Sequence, residues 1–416
     1  MVNSLSTREL ATHLEDPDVV IVDVREMSAF NGWTLHGEAR GGHIPGAVAF
    51  PLSWLASADA SVVRQGMTAK GISRNKTIVV YATQRDHSMV LATMLETSGY
   101  SRVRIYHAGL AEWASDATLP MDRLERYDRL VPSSWLYQMI LGKRFEPGSN
   151  WLLLEVSTGP PVSYDTGHIP GALPFSVENV EREPLWNRIP DAELEACLVA
   201  YGMTYDTTVI LYGRDTTAAA RVASLLLYAG VEDVRILDGG MTAWRAAGYP
   251  VETTTRYPTP GQTFGRPVPG HPEYMIDTEE AHTLLADAQT SLVSIRSWAE
   301  HIGSTSGYAY IQPKGRIPGT VWGGAGSATY RMDHYRNFDN TMRSYAEIAA
   351  SWRLQGMHAD RRAAFYCGTG WRASEAFFYA YLMGWRQIAV YDGGWLEWSQ
   401  KPSHPIAIGP PVSLAL

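Results

Sequence analysis

Cysteine and long apolar runs are both scarce in this chain of 416 residues, and each scarcity excludes a class of protein. The chain has two cysteines, and one pair cannot supply the disulfide framework of a small secreted domain. No apolar run reaches the roughly 18 residues that a membrane-spanning helix requires, so we expect no membrane insertion. Histidines, cysteines and carboxylates form no cluster with metal-ligand spacing, and the sequence therefore predicts neither a metal site nor a cofactor.

Charge is also sparse, and it is unevenly placed. Charged residues make up 19% of the chain, and 35 Lys and Arg against 43 Asp and Glu leave a formal net charge of −8. Residues 261–416 carry equal numbers of both signs, so the whole acidic excess lies before them. An acidic half argues against nucleic acid as a partner, because phosphate backbones attract basic surfaces.

Three segments of the chain share one frame of spacings, which indicates a tandem repeat of three domain-sized units. In each segment, the residue after a strand-like run is followed after 17 positions by glycine, after 8 more by histidine or aspartate, and after 6 more by tryptophan. We place the units at residues 1–125, 126–258 and 259–416. The framed positions are Ala82, Gly99, His107 and Trp113; then Gly213, Gly230, Asp238 and Trp244; then Cys367, Gly384, Asp392 and Trp398.

Each unit has the pattern of an α/β domain. Short apolar runs rich in β-branched residues, such as Val19–Val24 and Thr208–Tyr212, are typical of buried parallel strands. Helix-length stretches separate these runs, as in units built from alternating strands and helices. In such sheets the functional loop lies beyond the carboxyl end of a strand, which is where Cys367 falls.

Cys367 is the candidate nucleophile. It opens a glycine-rich hexapeptide that ends at Arg372 and leads from a strand-like run into a helix-like run. Backbone N–H groups of such a turn and the positive helix end can converge on the sulfur and favour its thiolate, the reactive form. The equivalent positions hold Ala82 and Gly213, so the first two units are predicted to be inactive. Cys197 lies in a helical pattern and is interpreted as a small apolar core residue.

The third unit is longer than the others before this loop. The extra residues lie in 303–314 and 321–343 and are rich in glycine, serine, tyrosine and arginine. A long insertion beside an active loop is typical of a wall or lid. We therefore expect part of the binding site to come from these two segments.

The motifs together resemble the rhodanese domain. Its features are Asp23-Val24-Arg25, a following Gly-His-Ile-Pro-Gly-Ala string, a loop before a helix and a closing Asp-Gly-Gly before tryptophan. The string that opens at Cys367 and the three-unit layout are similar to bacterial three-domain thiosulfate sulfurtransferases. The resemblance implies three tandem domains, each a mostly parallel sheet flanked by helices.

The resemblance also implies a reaction and a set of site residues. Sulfane sulfur would pass from thiosulfate or a similar donor to Cys367 as a persulfide, and then to cyanide, a thiol or a sulfur-acceptor protein. Arg296, which matches Arg25 in the first unit, and Arg372 would contact the anionic donor. The remaining substrate-binding residues would be those of the loop, Gly368, Thr369, Gly370 and Trp371.

Two other functions stay open at this point, and so does the compartment. A 3-mercaptopyruvate sulfurtransferase would use the same cysteine, and so would a persulfide carrier or adaptor for a partner protein. A phosphatase is disfavoured, because four residues rather than five separate Cys367 from Arg372. The first residues carry no signal peptide pattern, whereas the resemblance suggests a periplasmic protein, with the cytoplasm as the alternative.

Overall fold

The structure is a computed structural model that describes residues 3–83, 85–143 and 150–411. The chain divides into two compact units, residues 1–128 and residues 129–416, and the second unit holds two of the three predicted repeats. Among the described residues, no helix is both long enough and apolar enough to cross a bilayer.

Over its described residues, the first unit is one parallel sheet with six α-helices. The strand order is β1-β5-β4-β2-β3, and every neighbouring pair is parallel. The strands are β1 (Asn3–Leu5), β2 (Val19–Asp23), β3 (Val48–Ala49), β4 (Thr77–Tyr81) and β5 (Val103–Tyr106). The helices are α1 (Thr7–Ala11), α2 (Met27–Asn31), α3 (Ser53–Ser57), α4 (Ala60–Ala69), α5 (Arg85–Thr97) and α6 (Gly109–Ser115).

The second repeat builds another parallel sheet and adds a short antiparallel hairpin made of β9 and β10. Its sheet order is β6-β12-β11-β7-β8. The strands are β6 (Leu130–Val131), β7 (Trp151–Ser157), β8 (Leu173–Ser176), β9 (Glu181–Arg182), β10 (Asn187–Arg188), β11 (Thr208–Gly213) and β12 (Asp233–Leu237). The helices are α7 (Ser133–Ile140), α8 (Val162–Asp165), α9 (Asp191–Ala200), α10 (Thr216–Ala229) and α11 (Gly240–Ala246).

The third repeat has the strand order β13-β17-β16-β14-β15, so all three sheets follow one topology. The strands are β13 (Met275–Ile276), β14 (Thr290–Ser294), β15 (Val321–Trp322), β16 (Arg362–Tyr366) and β17 (Ile388–Tyr391). The helices are α12 (Thr278–Ala286), α13 (Trp298–His301), α14 (Tyr345–Leu354), α15 (Trp371–Leu382) and α16 (Gly394–Gln400). The predicted fold of three parallel sheets flanked by helices is confirmed.

The central strand of each sheet is apolar because both of its faces are covered. In the third sheet, Ala364, Phe365 and Tyr366 of β16 have no exposed surface, and Phe365 lies in register between Val293 and Val390. Burial on both faces accounts for the continuous apolar runs that predicted parallel strands. The framed positions of the repeat follow these central strands, so Cys367 lies at the carboxyl edge of its sheet.

The two sheets of the second unit meet through α10 and α15, the helices that follow the framed loops. Ser224 of α10 donates a hydrogen bond of 3.0 Å to Ser374 of α15, and every residue of α10 is buried. Small residues at the crossing allow the close helix approach, and α10 thereby reaches the loop that holds Cys367.

The framed aspartates bind the same two repeats to each other. Asp238 accepts a hydrogen bond of 2.8 Å from the backbone N–H of Met342. In return, Asp392 accepts one of 2.8 Å from the backbone N–H of Arg188. Each aspartate thus satisfies a backbone donor of the other repeat, which fixes the two sheets relative to each other at the edge where Cys367 lies.

Candidate active site between the second and third repeats

The loop at Cys367 is held by the start of α16. The side chain of Cys367 is buried, and its backbone carbonyl accepts a 2.8 Å hydrogen bond from the N–H of Trp395. The carbonyl of Gly368 accepts one of 3.0 Å from Leu396. These two hydrogen bonds join the first residues of the loop to the first turn of α16, and they fix the loop on the N-terminal side of α15.

Two glycines of the loop are required by its close contacts. A Cβ atom at Gly368 would lie 2.6 Å from Cζ of Tyr308, so the tyrosine ring lies directly on the loop. Gly370 adopts a φ of +93°, which L side chains rarely reach, and its Cβ would lie 2.9 Å from Nη1 of Arg221. The loop is therefore covered on one side by a tyrosine of its own repeat and on another by an arginine of the second repeat.

Arg372 lies at the site, but its charge is already paired. It is almost fully buried, and its Nη1 and Nη2 donate to the two carboxylate oxygens of Glu300 at 3.0 and 2.8 Å. Nη2 also donates to the hydroxyl of Tyr308 at 2.6 Å. Burial alone would raise the pKa of Glu300, but the bonds from Arg372 outweigh it and hold that pKa below its usual value. Both guanidinium nitrogens that face Glu300 are therefore engaged in the ion pair.

Arg296 occupies a different environment from Arg372. It is fully buried, and its Nη1 and Nη2 donate to the carbonyls of Gly315 at 2.8 Å and Ser306 at 3.3 Å. Its Nε lies 3.7 Å from Glu300, and burial lowers its pKa. Arg296 therefore lies next to the ion pair between Arg372 and Glu300, and it does not line the cavity that opens beside the Cys367 loop. Any effect of Arg296 on a substrate would pass through Glu300 and through the segment whose carbonyls it binds.

A cavity of about 280 Å³ opens beside the loop, between the second and third repeats. The third repeat contributes Tyr308, Tyr310, Tyr330, Thr369, Trp371 and Arg372, and the second contributes Thr158, Glu178, Glu181, Trp186, Asp215 and Thr217. A larger groove of about 590 Å³ lies elsewhere on the third repeat and is lined by charged and polar residues and one leucine, with no cysteine among them. The smaller cavity is therefore the candidate active site.

Both insertion segments, which the sequence predicts to form a wall or lid, contribute residues to the lining of this cavity. Tyr308 and Tyr310 come from the segment 303–314, and Tyr330 comes from 321–343. The rings of Tyr308 and Tyr330 meet edge to face with centroids 5.0 Å apart. A side-chain hydrogen bond joins Tyr310 to Thr369 of the loop. The insertion therefore lines the site with aromatic rings.

The second repeat supplies residues that the sequence patterns did not indicate. Glu181 is almost fully buried and accepts hydrogen bonds of 2.9 and 3.1 Å from Nε1 of Trp371 and one of 2.9 Å from Nε of Arg221. Burial raises the pKa of Glu181 to about 7, against the opposing charge of Arg221. Trp186 lies in the hairpin that begins at Glu181. One signal was present in the sequence, since Arg221 is the single charged residue of α10.

The equivalent loops of the other repeats hold no nucleophile at the framed position. Ala82 is buried after β4, and Gly213 ends β11. A Cβ atom at Gly240 would lie 2.6 Å from the backbone carbonyl oxygen of Gly213. In the third repeat, a Cβ atom at Gly394 would lie equally close to the carbonyl oxygen of Gly368. Gln84, part of the predicted first-unit loop, lies outside the described residues. Within the described ranges, no three histidine, cysteine or carboxylate residues are grouped to hold a metal ion.

Comparison with known proteins decides the family. The Rhodanese-like domain matches this chain three times, at residues 6–116, 134–247 and 277–401. The chain belongs to the rhodanese family.

One curated relative and several solved structures span nearly the whole length of this rhodanese chain. Thiosulfate sulfurtransferase YnjE of Escherichia coli (strain K12) is 42% identical over 93% of this chain and 88% of its own. A solved structure of an anaerobic ergothioneine biosynthesis enzyme from Chlorobium limicola, in complex with its natural substrate trimethyl histidine, is 38% identical with a TM-score of 0.95, covering 99% of this chain and 100% of that one. A structure of EanB with ergothioneine covalently linked to a persulfide cysteine has the same identity and TM-score.

Proposed function

We propose that this protein is a sulfurtransferase that moves sulfane sulfur from thiosulfate to a thiophilic acceptor through a persulfide on Cys367. The observation that carries the proposal is the placement of Cys367. It is the one thiol among the three framed positions, and its loop borders a cavity lined by Thr369, Trp371 and Arg372. The thiosulfate sulfurtransferase YnjE, 42% identical, supports the same donor.

The proposed reaction is a double displacement. The Cys367 thiolate attacks the outer sulfur of thiosulfate, the sulfur–sulfur bond of the donor breaks, and sulfite leaves with the electron pair. The acceptor then attacks the outer sulfur of the persulfide, and Cys367 leaves as a thiolate. No net oxidant is needed, because the sulfane sulfur passes between two nucleophiles.

The loop residues and the two arginines take different roles in this proposal. Backbone N–H groups of Gly368, Thr369, Gly370 and Trp371, at the start of α15, would stabilise negative charge on the sulfur. Arg372 would attract the donor anion, with Glu300 limiting its net charge. We assign Arg296 a positioning role, because it holds the carbonyls of Ser306 and Gly315 on either side of the segment that carries Tyr308.

A second candidate function concerns the acceptor. The cavity is lined by aromatic rings and by the carboxylates of Glu178, Glu181 and Asp215, and such surroundings suit a cation. Trimethyl histidine, the natural substrate named for the Chlorobium limicola enzyme, carries a quaternary ammonium group. We therefore propose trimethyl histidine as a candidate acceptor. Its imidazole carbon would lose a proton and attack the outer sulfur of the persulfide, the sulfur–sulfur bond would break, and Cys367 would leave as a thiolate that can take up the proton.

The experiment that tests the proposed function compares two serine variants. Cys367→Ser is expected to abolish sulfur transfer from thiosulfate to cyanide, since serine cannot carry a persulfide. Cys197→Ser is the matched control and is expected to keep wild-type turnover, because burial raises the pKa of Cys197 to about 11 and leaves that thiol unreactive.

The same assay separates the alternatives. Turnover of 3-mercaptopyruvate above that of thiosulfate would replace the donor. Slow transfer to every small acceptor, with fast exchange to a partner protein, would identify a persulfide carrier. Wild-type turnover in the folded Cys367→Ser protein would refute the mechanism.

A further inference from the structure

The hairpin of the second repeat, residues 181–188, is built into the active site of the third. Its base is fixed by the backbone N–H of Arg188, which donates to Asp392 at 2.8 Å. The Asn187 side chain donates to Glu397 at 2.8 Å. Leu185 and Trp186 pack against the hydrophobic core of the third repeat. The hairpin therefore belongs to the second repeat by sequence and also contacts the third repeat through its side chains and backbone.

Trp186 is held in an unfavourable backbone conformation at the cavity. Its φ is +59°, in the left-handed region that is unfavourable for a residue other than glycine. Such strain persists only where the surroundings fix it, and it clusters at functional sites. Here it brings the Trp186 side chain to the cavity lining, opposite the tyrosines of the third repeat.

The charge of the lining is one-sided. Glu178, Glu181 and Asp215 all come from the second repeat. Among the described residues that line the cavity, the single basic side chain is Arg372, and Glu300 pairs with it at 2.8 Å. Glu181 is itself paired with the fully buried Arg221 at 2.9 Å, but Arg221 also pairs with Asp392 at 2.7 Å, so these three groups keep one net negative charge. On the side of the cavity that the second repeat lines, carboxylates beside aromatic faces favour a cationic ligand over an anionic one, whereas Arg372, the proposed contact of the donor anion, comes from the third repeat.

We propose that the hairpin selects the acceptor, and that Glu181 and Trp186 recognise a small molecule with a positively charged ammonium group. This inference rests on the proposed persulfide on Cys367. Glu181 is positioned by two hydrogen bonds from Trp371 and one from Arg221, so its carboxylate is fixed before the acceptor enters. Trp186 and Trp371 supply π faces for the cation. The second repeat, which has no thiol at its framed position, then determines what the third repeat reacts with.

The test uses three small thiols of similar size and different charge. Cysteamine is cationic, 2-mercaptoethanol is neutral and mercaptoacetate is anionic. The protein is first loaded with thiosulfate, and the persulfide is quantified by mass spectrometry. Transfer rates are expressed per loaded persulfide, so that misfolded protein does not enter the comparison. The assay is run at about pH 8, where Glu181, which faces Arg221, Trp371 and Asp392, is ionised.

In the wild type, kcat/KM is expected to rank cysteamine above 2-mercaptoethanol and mercaptoacetate. Glu181→Gln is expected to lower the ratio for cysteamine over 2-mercaptoethanol roughly tenfold, through loss of one charge next to the cation. Trp186→Leu is expected to lower the same ratio through loss of a π face. Glu183→Gln is the matched control, since Glu183 is exposed on the same hairpin and does not line the cavity; it is expected to keep the wild-type ratio.

Glu178→Gln, at an exposed lining position, provides a second charge variant if Glu181→Gln does not load. A loss of cysteamine preference in either glutamine variant supports the proposal. Equal rates for the three thiols in the wild type, or an unchanged ratio in every loaded variant, would overturn it. Absence of any persulfide in the wild type would instead refute the proposed function itself.

Discussion

At the scale of single residues, the buried charges around the site are paired with each other. Arg372 and Glu300 are both nearly or fully buried, and two hydrogen bonds join them. Arg221 is fully buried between Glu181 and Asp392, at 2.9 and 2.7 Å. Burying a charge without a partner lowers the stability of the folded protein. These ion pairs therefore fix the side chains around the loop, and they also set the electrostatic potential at the loop.

The first prediction at this scale concerns stability. Arg372→Ala is expected to lower the free energy of unfolding by about 3–5 kcal/mol, because Glu300 is left buried with an uncompensated charge. Adding Glu300→Gln should recover much of this loss. Urea unfolding of the purified variants measures both changes.

The control is another arginine in an ion pair. Arg182 pairs with Glu193 at 2.6 Å, but both side chains are about half exposed or more. Arg182→Ala is therefore expected to cost at most about 1 kcal/mol. An equal loss of stability in Arg182→Ala and Arg372→Ala would contradict the assigned role of the buried pair.

Residue-scale prediction from sequence succeeded where chemistry and spacing coincided. Cys367 stood out because the repeat frame aligned it with Ala82 and Gly213. The assignments of Arg372 and Arg296 to the donor remain predictions. Both arginines are bound to Glu300 or to backbone carbonyls in the structure, a pairing that residue type and position alone do not reveal.

At the scale of secondary-structure elements, the regular strands were predictable and the hairpin was not. The strands β11 and β16 are buried on both faces, and such strands appear in a sequence as continuous apolar runs. The strands β9 and β10 have two residues each, too few for an alternating pattern. Their conformation depends on contacts with Asp392 and Glu397 far along the chain, so no local signal encodes it.

The helices α10 and α15 show how one element serves two repeats. Arg221 on α10 bridges Glu181 of its own repeat and Asp392 of the third, and a third nitrogen lies against Gly370. The insertion of the third repeat reaches back to the second repeat. Arg336 of the insertion pairs with Glu375 on α15, and Asn340 of the insertion donates a hydrogen bond to Thr216 on α10. The site is therefore shared between repeats through elements that begin at the two framed loops.

At the scale of the whole molecule, the three repeats divide into unequal roles. All the described contacts of the candidate site lie within residues 129–416, the second compact unit. The first unit has its own sheet and its own hydrophobic core. The predicted boundary between the second and third repeats, at residues 258 and 259, remains a prediction, because both repeats lie within one compact unit.

A prediction at this scale follows from that division. A fragment of residues 129–416 is expected to form the persulfide with thiosulfate as the full chain does. A fragment of residues 259–416 is expected to be inactive although it retains Cys367, because it lacks Glu181, Trp186 and Arg221. Persulfide formation, measured on both purified fragments, checks the prediction. Loading of the shorter fragment at the full-chain rate would show that the second repeat is dispensable for the first half-reaction.

The most direct measurement of the central claim is peptide mass mapping after the full-length protein has been incubated with thiosulfate and no acceptor. We expect the mass of one additional sulfur atom on the peptide that contains Cys367, and none on the peptide that contains Cys197. Addition of cyanide should remove that mass. An unmodified Cys367 at saturating thiosulfate, or sulfur found on Cys197 instead, would contradict the account.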